Sequence, residues 1–230
     1  MKTRLKQWLA DDNVPIKIRQ QAVFAILVAL SQFPNMINTF LIGSDVISSA
    51  IIAALCFVTA LVILGCVYLA IILNREGIFM FLLYAVCFIL LPVMFFASGG
   101  ISSGMCIWFV CGCVSTYNMA SGRYQVLLML LYLVLISGLY LFDGFFPGHI
   151  ASLSRESATI DLCFSIVLVS FILAGYFSWT QYAYAKKCDA LNCSMEELKK
   201  EIKENQRLTV ESMTDALTGA HNRTAYAKIS

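Results

Sequence analysis

Six long apolar stretches limit what this chain can fold into more than any other feature of its sequence. They are Ala22–Ile42, Ile47–Leu73, Ile78–Ala97, Ile101–Met119, Tyr124–Phe142 and Ile160–Tyr182. A helix of about 20 apolar residues crosses the hydrocarbon core of a bilayer, where a backbone survives only if its hydrogen bonds are internal. The stretches therefore predict an all-α membrane protein with six transmembrane helices, of which the fourth has the weakest signal.

The charged residues divide the chain into segments. Only eight of the 30 charged residues lie between Gln20 and Thr180, whereas the last fifty residues carry fifteen. Charged residues make up 13% of the chain, about half the share in a soluble domain, which excludes an ordinary soluble enzyme. The net charge of +2 gives no support for a nucleic-acid partner. We expect a basic cytoplasmic segment at 1–19, a transmembrane domain at 20–183, a cytoplasmic linker at 184–213 and the start of a further domain at 214–230.

The basic residues predict the orientation of the spans, because Lys and Arg favour the cytoplasmic side of short loops. Five of them precede the first span, and Arg75 and Arg123 lie in the second and fourth loops. Lys186 and Lys187 follow the sixth span. The first and third loops carry none, and the fifth carries only Arg155. This distribution predicts six spans with both termini in the cytoplasm.

Polar and helix-breaking residues cluster toward the predicted outer ends of the spans. The candidate residues are Asn35, Asn38, Asp45, Pro92, Gly99, Gly100, Ser103, Trp108 and Asp161. Polar groups inside a membrane are costly unless they face a bundle interior or a cavity, so the cluster predicts a pocket for a small ligand or another membrane cue. Asp161 leads the set because it begins the span that enters the cytoplasmic segment. The alternative is a tight turn with asparagines bonded between helices.

Other site classes have less support. Seven of the nine cysteines lie in apolar stretches without nearby His or carboxylate partners, which favours small apolar packing residues over metal or redox chemistry. A small-solute transporter remains an alternative. Transporters place ionisable groups or broken helices near the membrane midplane, often in repeated halves. We find no ionisable residue at the centre of any span and no internal repeat.

The segment after the sixth span predicts a helical stalk. Mostly apolar or small residues recur there at alternating spacings of four and three: Tyr184, Cys188, Leu191, Met195, Leu198, Ile202, Asn205 and Thr209. This spacing is the a/d seam of a coiled coil. It favours a parallel homodimer held together by Leu191, Met195, Leu198 and Ile202. The alternative is a solvated single helix that packs on its own protein.

The chain closes on a motif that resembles a known family. Gly219 permits a sharp turn, and Asn222 is a suitable N-cap for a helix that begins at Arg223. The run Asp215-Ala-Leu-Thr-Gly-Ala-His-Asn-Arg223 resembles the D-x-L-T-G-x-x-N-R segment that opens GGDEF domains, the diguanylate cyclase family. The resemblance implies that Asp215, Leu217, Thr218, Gly219, Asn222 and Arg223 build the turn between stalk and cyclase, without a catalytic role.

The resemblance also implies a function. It implies a multipass sensor of the bacterial cytoplasmic membrane, whose cytoplasmic α/β domain condenses two GTP into cyclic di-GMP with Mg²⁺ at a dimer interface. The active-site loop would lie beyond Ser230, so we expect a truncated cyclase domain with no catalytic residue, metal or cofactor site in this chain. A degenerate GGDEF domain and a fusion to a phosphodiesterase domain remain alternatives. A sensor kinase has less support, because no segment resembles its phosphoacceptor helix.

Overall fold

The described part of the chain is helical and contains no β-strand. A computed structural model describes Trp8 and residues 14–42, 46–73, 76–119, 122–146 and 153–213. The elements are α1 (Ile16–Ile42), α2 (Val46–Leu73), α3 (Glu76–Ala85), a π-helical turn (Val86–Leu90), α4 (Leu91–Ser98), a 3-10 turn (Gly100–Ser102), α5 (Met105–Met119), α6 (Arg123–Phe145) and α7 (Arg155–Met213). The prediction of an all-α membrane protein is confirmed for these residues.

Five helical segments are long and apolar enough to cross a membrane. They are Ile16–Ile42, Val46–Ile71, Gly77–Ser98, Arg123–Phe145 and Arg155–Val210. The fourth predicted span gives a shorter helix, since α5 has 15 residues and a length of about 22 Å, against about 30 Å of hydrocarbon. The chain is therefore a membrane protein, and the count of six spans stays a prediction.

Small residues allow the first two helices to pack closely. The buried ones are Ala22, Ala25 and Ala29 in α1, and Ala53, Cys56 and Ala60 in α2. In each helix their spacing of three and four residues places them on one face. Because lipid is as apolar as a leucine side chain, membrane helices associate through close packing, which small side chains permit. The long contact between α1 and α2 follows from these two faces.

The third predicted span changes its helical geometry midway. The Leu91 N–H donates to the Val86 carbonyl, five residues back, which is the wide π pattern. Pro92 follows in the first turn of α4, where its missing N–H is tolerated. α4 then ends at Gly99, whose φ of 106° is left-handed and whose N–H donates to the Phe95 carbonyl. The segment 99–104, called the α4–α5 turn below, connects it to α5.

Tyr132 anchors α6 on α5. Its side chain is fully buried, and its ring meets the rings of Phe88 and Phe109 edge-on at centroid distances of 5.3 and 6.4 Å. A Cβ on Gly112 would overlap the Tyr132 phenol group, so the two helices approach this closely only because residue 112 is a glycine. Elsewhere α6 is mostly exposed, as expected for a helix that faces lipid.

Residue contacts divide the chain into the units Met1–Thr180 and Gln181–Ser230. In the first unit, α7 contributes the buried residues Val169, Ile172 and Tyr176. The Tyr176 ring packs edge-on against Phe24 of α1, with 5.1 Å between centroids. In the second unit, nearly all described side chains are exposed.

Candidate functional site

A carboxylate near the start of α7 joins three elements of the bundle. Asp161 is 9% exposed, and each of its two oxygens accepts a hydrogen bond. The Asn38 side-chain Nδ2 of α1 donates to Oδ1 at 2.9 Å. The Gly104 backbone N–H of the α4–α5 turn donates to Oδ2 at 2.6 Å. The three groups, called the Asp161 junction below, connect α7 to α1 and to the turn.

The Asp161 carboxylate is stabilised by the dipoles of an amide group and a backbone N–H group. Within the described residues, no lysine or arginine pairs with Asp161. Gly104 immediately precedes α5, so its N–H is one of the unpaired donors at a helix N-terminus, where the helix dipole favours negative charge. Buried polar groups require hydrogen-bond partners, and the Asn38 amide and the Gly104 N–H supply them.

Close packing brings the turn to α7. A Cβ on residue 104 would lie 2.7 Å from the Asp161 carbonyl oxygen and 2.7 Å from the Cβ of Ser165. Ser165 is almost fully buried at this contact. Only a residue without a side chain allows the backbone N–H to reach the carboxylate, so Gly104 is required by the site.

Neighbouring side chains hold the α4–α5 turn in shape. The Ser103 hydroxyl donates to the Gly100 carbonyl at 2.8 Å and accepts from the Met105 N–H at 3.3 Å. Asp143 of α6 accepts a 2.7 Å hydrogen bond from the Ile101 N–H through its Oδ2. Two carboxylates, one from α6 and one from α7, therefore hold the same turn by its backbone.

A further contact ties the start of α7 to the end of α1. The Ser157 hydroxyl donates to the Ile42 carbonyl at 3.0 Å, which satisfies one of the unpaired carbonyls at that helix end. Ser154 caps α7, because its hydroxyl oxygen accepts a hydrogen bond from the Ser157 N–H at 3.1 Å. α7 thus meets α1 at Ser157 and at Asp161, about one helical turn apart.

A cavity lies inside the first unit, between α1, α2, the third predicted span and α5. Within it, the centre of a water-sized sphere can occupy a volume of about 50 Å³. Its wall is mostly apolar and includes the π-helical turn and Trp108. Four uncharged polar residues also line it, namely Gln32, Asn35, Thr59 and Ser115.

The structure places the predicted pocket residues in two separate features. Asn38 and Asp161 are hydrogen-bonded to each other, whereas Asn35 and Trp108 line the cavity. The others have structural positions: Gly99, Gly100 and Ser103 lie in the α4–α5 turn, and Pro92 is buried in the first turn of α4. Asp45 lies outside the described residues.

The remaining predicted residues belong to the C-terminal part of the chain. The side chains of Leu191, Met195, Leu198 and Ile202 are all exposed, by between 49% and 56%. The GGDEF-like residues Asp215, Leu217, Thr218, Gly219, Asn222 and Arg223 lie outside the described residues. The helix that carries the stalk positions is observed to Met213.

Sequence reasoning missed several members of both features. Gly104 binds Asp161 through its backbone, so its side-chain chemistry gives no signal. Gln32, Thr59 and Ser115 do carry a signal, since each is a polar side chain within an apolar stretch. The fold adds their convergence on one cavity.

The described part of the chain contains no group of side chains arranged to bind a metal ion. There, no three His, Cys, Asp or Glu side chains converge as a metal site would require, and all nine cysteines are free thiols.

Comparisons of the chain with protein-family models, with curated proteins and with solved structures gave no match. The function is therefore inferred from the residues and their geometry.

We predict that Gly104→Ala destabilises the bundle. The added methyl group meets backbone and Ser165, and overpacking of this kind costs about 1–3 kcal/mol, or about 2–12 °C in the unfolding midpoint of a chain this long. The measurement is thermal unfolding of the purified protein in detergent micelles.

Gly138→Ala is the matched control, because a Cβ at residue 138 of α6 would meet no atom within 4 Å. It should leave the midpoint unchanged or raise it slightly, since alanine favours a helix by up to about 1 kcal/mol over glycine. Equal midpoints for the two variants would contradict the described packing at Gly104.

Proposed function

We propose that this chain is the membrane-bound input region of a bacterial signalling protein with a diguanylate cyclase output domain. One observation carries the proposal: a single helix, α7, contains both the buried Asp161 and the exposed apolar seam of the stalk. The GGDEF-like motif follows that helix in the sequence. The bundle would sense a cue, and α7 would carry the response to the output domain.

The Asp161 junction would be the point where the bundle controls α7. If a cue displaced Asn38 or the α4–α5 turn, one oxygen of a buried carboxylate would lose its partner. Leaving such a group unpaired costs about 1–3 kcal/mol, which matches the usual free energy of coupling between two sites. A small displacement at the outer end of the bundle would therefore shift the position or rotation of α7.

The proposed topology has six spans and both termini in the cytoplasm. The basic residues of the N-terminus, the second and fourth loops and the C-terminal flank support it. α5 alone is short, with 15 residues. A bilayer adapts to a slightly short helix at a modest cost in free energy.

The exposed seam supports a parallel homodimer. Leu191, Met195, Leu198 and Ile202 would face water in the cytoplasm unless a second copy of the stalk covers them. Two chains in one membrane are at a high effective concentration, which favours even a short coiled coil. A dimer would also bring two cyclase domains together, and these domains would supply the GTP and Mg²⁺ sites.

The test measures cyclic di-GMP in bacteria that express the complete reading frame containing this chain. Asp161→Asn replaces one carboxylate oxygen by an NH2 group, which cannot accept from the Asn38 amide or the Gly104 N–H, and we expect cyclic di-GMP to change by at least about fivefold in either direction, the lower limit of a typical coupling energy. Asp143→Asn is the matched control, because Asp143 accepts one hydrogen bond from the same turn and the remaining side-chain oxygen of asparagine can still accept it. It should retain most of the wild-type level.

Two results would contradict the proposal. A wild-type reading frame that is stably expressed but yields no cyclic di-GMP would exclude an active cyclase, and a degenerate domain or a phosphodiesterase fusion would take its place. Equal cyclic di-GMP levels in wild type, Asp161→Asn and Asp143→Asn would exclude the junction as the control point. Protein amounts in the membrane, measured for all three proteins, serve as the common reference.

Two native cysteines test the stalk dimer directly. Cys188 occupies an a position of the predicted seam, whereas Cys193 falls at the outward f position, and both side chains are exposed in the described chain. Paired a positions bring the two Cα atoms within the roughly 4.4–6.8 Å that a disulfide needs, and f positions do not. Mild oxidation of membranes should therefore produce a covalent dimer through Cys188.

The comparison uses single serine replacements. Cys193→Ser should retain the oxidised dimer on a non-reducing gel, and Cys188→Ser should lose most of it. If the two variants give the same amount of dimer, or if Cys193 alone supports it, the stalk does not form the proposed parallel seam.

A further inference from the structure

The cavity between α1, α2, the third predicted span and α5 has a polar wall that the Asp161 junction does not use. Its four polar lining residues are Gln32, Asn35, Thr59 and Ser115. Three of them direct a hydrogen-bond donor at the protein: Gln32 Nε2 to the Val28 carbonyl, Asn35 Nδ2 to the Cys56 sulfur, and the Thr59 hydroxyl to the Leu55 carbonyl.

The oxygens of these three side chains have no donor. Within the described residues, no group donates a hydrogen bond to Gln32 Oε1, Asn35 Oδ1 or Thr59 Oγ1. A carbonyl or hydroxyl oxygen in an apolar interior lowers its free energy by accepting a hydrogen bond. The cavity therefore presents hydrogen-bond acceptors that a bound molecule with a donor group would satisfy.

Buried polar atoms without partners lie next to the same wall. Gln21 is fully buried, and its Nε2 donates to the Ser115 hydroxyl while its Oε1 has no partner. The Tyr132 hydroxyl also has no partner and rests against Gly112, which lines the cavity. Neither Gln21 nor Tyr132 lines the cavity, so these unpaired atoms, at about 1–3 kcal/mol each, are a cost of the packing behind the wall and are not contacts for an occupant.

We propose that the cavity binds a small, neutral, mostly apolar molecule that carries one hydrogen-bond donor, a hydroxyl or an N–H group. The donor would point to the oxygens of Gln32, Asn35 and Thr59, and the apolar part would pack on Val28, Met94 and Trp108. This inference concerns binding alone, so it holds whatever output domain follows the stalk.

The charge and size of the site define the ligand class. Among the described residues that line the cavity there is no Asp, Glu, Lys, Arg or His, so an ionic ligand would lose its hydration without gaining a charged partner from them. The 50 Å³ open to the centre of a water-sized sphere is several times the roughly 10–15 Å³ that one water needs. The space suits a short alcohol, and a single aromatic ring, which fits a dry protein cavity of about 150 Å³, requires the cavity to widen.

The wall formed by the third predicted span can adapt to such a molecule. Val86 and Cys87 of the π-helical turn and Leu91 of α4 line the cavity. A π-helical turn is a local widening that an ordinary α-helix lacks, and such turns occur frequently at functional sites. It places these side chains on the cavity while the flanking turns remain α-helical.

Photolabelling of the full chain in lipid nanodiscs tests the proposal. The probe is a short-chain alcohol that carries a diazirine, and mass spectrometry locates the labelled residues. We expect labels on cavity residues such as Met94, Met105 and Trp108. Phenol should compete about two- to tenfold better than anisole at equal concentration in the membrane, because anisole has the ring without the O–H donor.

A matched pair of variants tests the acceptor. Thr59→Val removes the cavity-lining oxygen without changing side-chain size, and should weaken labelling of the cavity by about two- to tenfold. Thr39→Val is the control, because Thr39 makes the same kind of bond, to the Asn35 carbonyl at 3.0 Å, but does not line the cavity. Thermal unfolding of both variants establishes that each is folded.

Three results would overturn the proposal. Labels confined to lipid-facing residues would show that the cavity takes no alcohol. Equal competition by phenol and anisole in the wild-type protein would show that a donor does not matter, and this comparison needs no variant. Equal labelling of folded Thr59→Val and Thr39→Val would exclude Thr59 as the acceptor.

Discussion

The absence of water from a membrane interior is the constraint on which the rest of this structure depends. A buried polar group there is costly unless it finds a partner within the protein, and an acidic side chain needs more than one. Asp161 meets this requirement through Asn38 of α1 and the Gly104 N–H of the α4–α5 turn. Because its partners come from two other elements, the position of α7 is defined by the same bonds that make Asp161 tolerable in the bundle.

The interior of the bundle contains two separate polar features, the Asp161 junction and the cavity. The Asp161 junction lies where α7 begins, and both oxygens of Asp161 accept hydrogen bonds from the protein itself. The cavity lies between α1, α2, the third predicted span and α5, and the side-chain oxygens of Gln32, Asn35 and Thr59 accept no hydrogen bond there from the described residues. Asn35 lines the cavity one turn before Asn38 on α1, so one helix touches both features. In the account proposed here, α1 would carry an effect of cavity occupancy to the carboxylate, and α7 would carry it onward.

Much of the fold could be predicted from the sequence, because apolar length and charge are local properties. The apolar stretches predicted the long helices, and Asp161 was identified because it belongs to a costly cluster of polar residues and begins the span that enters the cytoplasmic segment. Three features required the fold: the backbone contact of Gly104, the division of the predicted pocket into a junction and a cavity, and the shortness of α5. The first depends on a missing side chain and the second on distances between helices. The third depends on residues 101–104, which the predicted fourth span included but which belong to the α4–α5 turn. The six-span topology, the dimer and the cyclase domain remain predictions.

The central claim is that Asp161 determines the arrangement of the stalk. Its most direct test is the distribution of distances between two spin labels, one on Cys193 of each chain, in nanodiscs, with the other accessible cysteines replaced by serine. Cys193 lies off the predicted seam, so the label leaves the dimer contact intact. The account predicts that Asp161→Asn shifts or broadens the distribution, whereas Asp143→Asn preserves it. Identical distributions in wild type and both variants would contradict the claim.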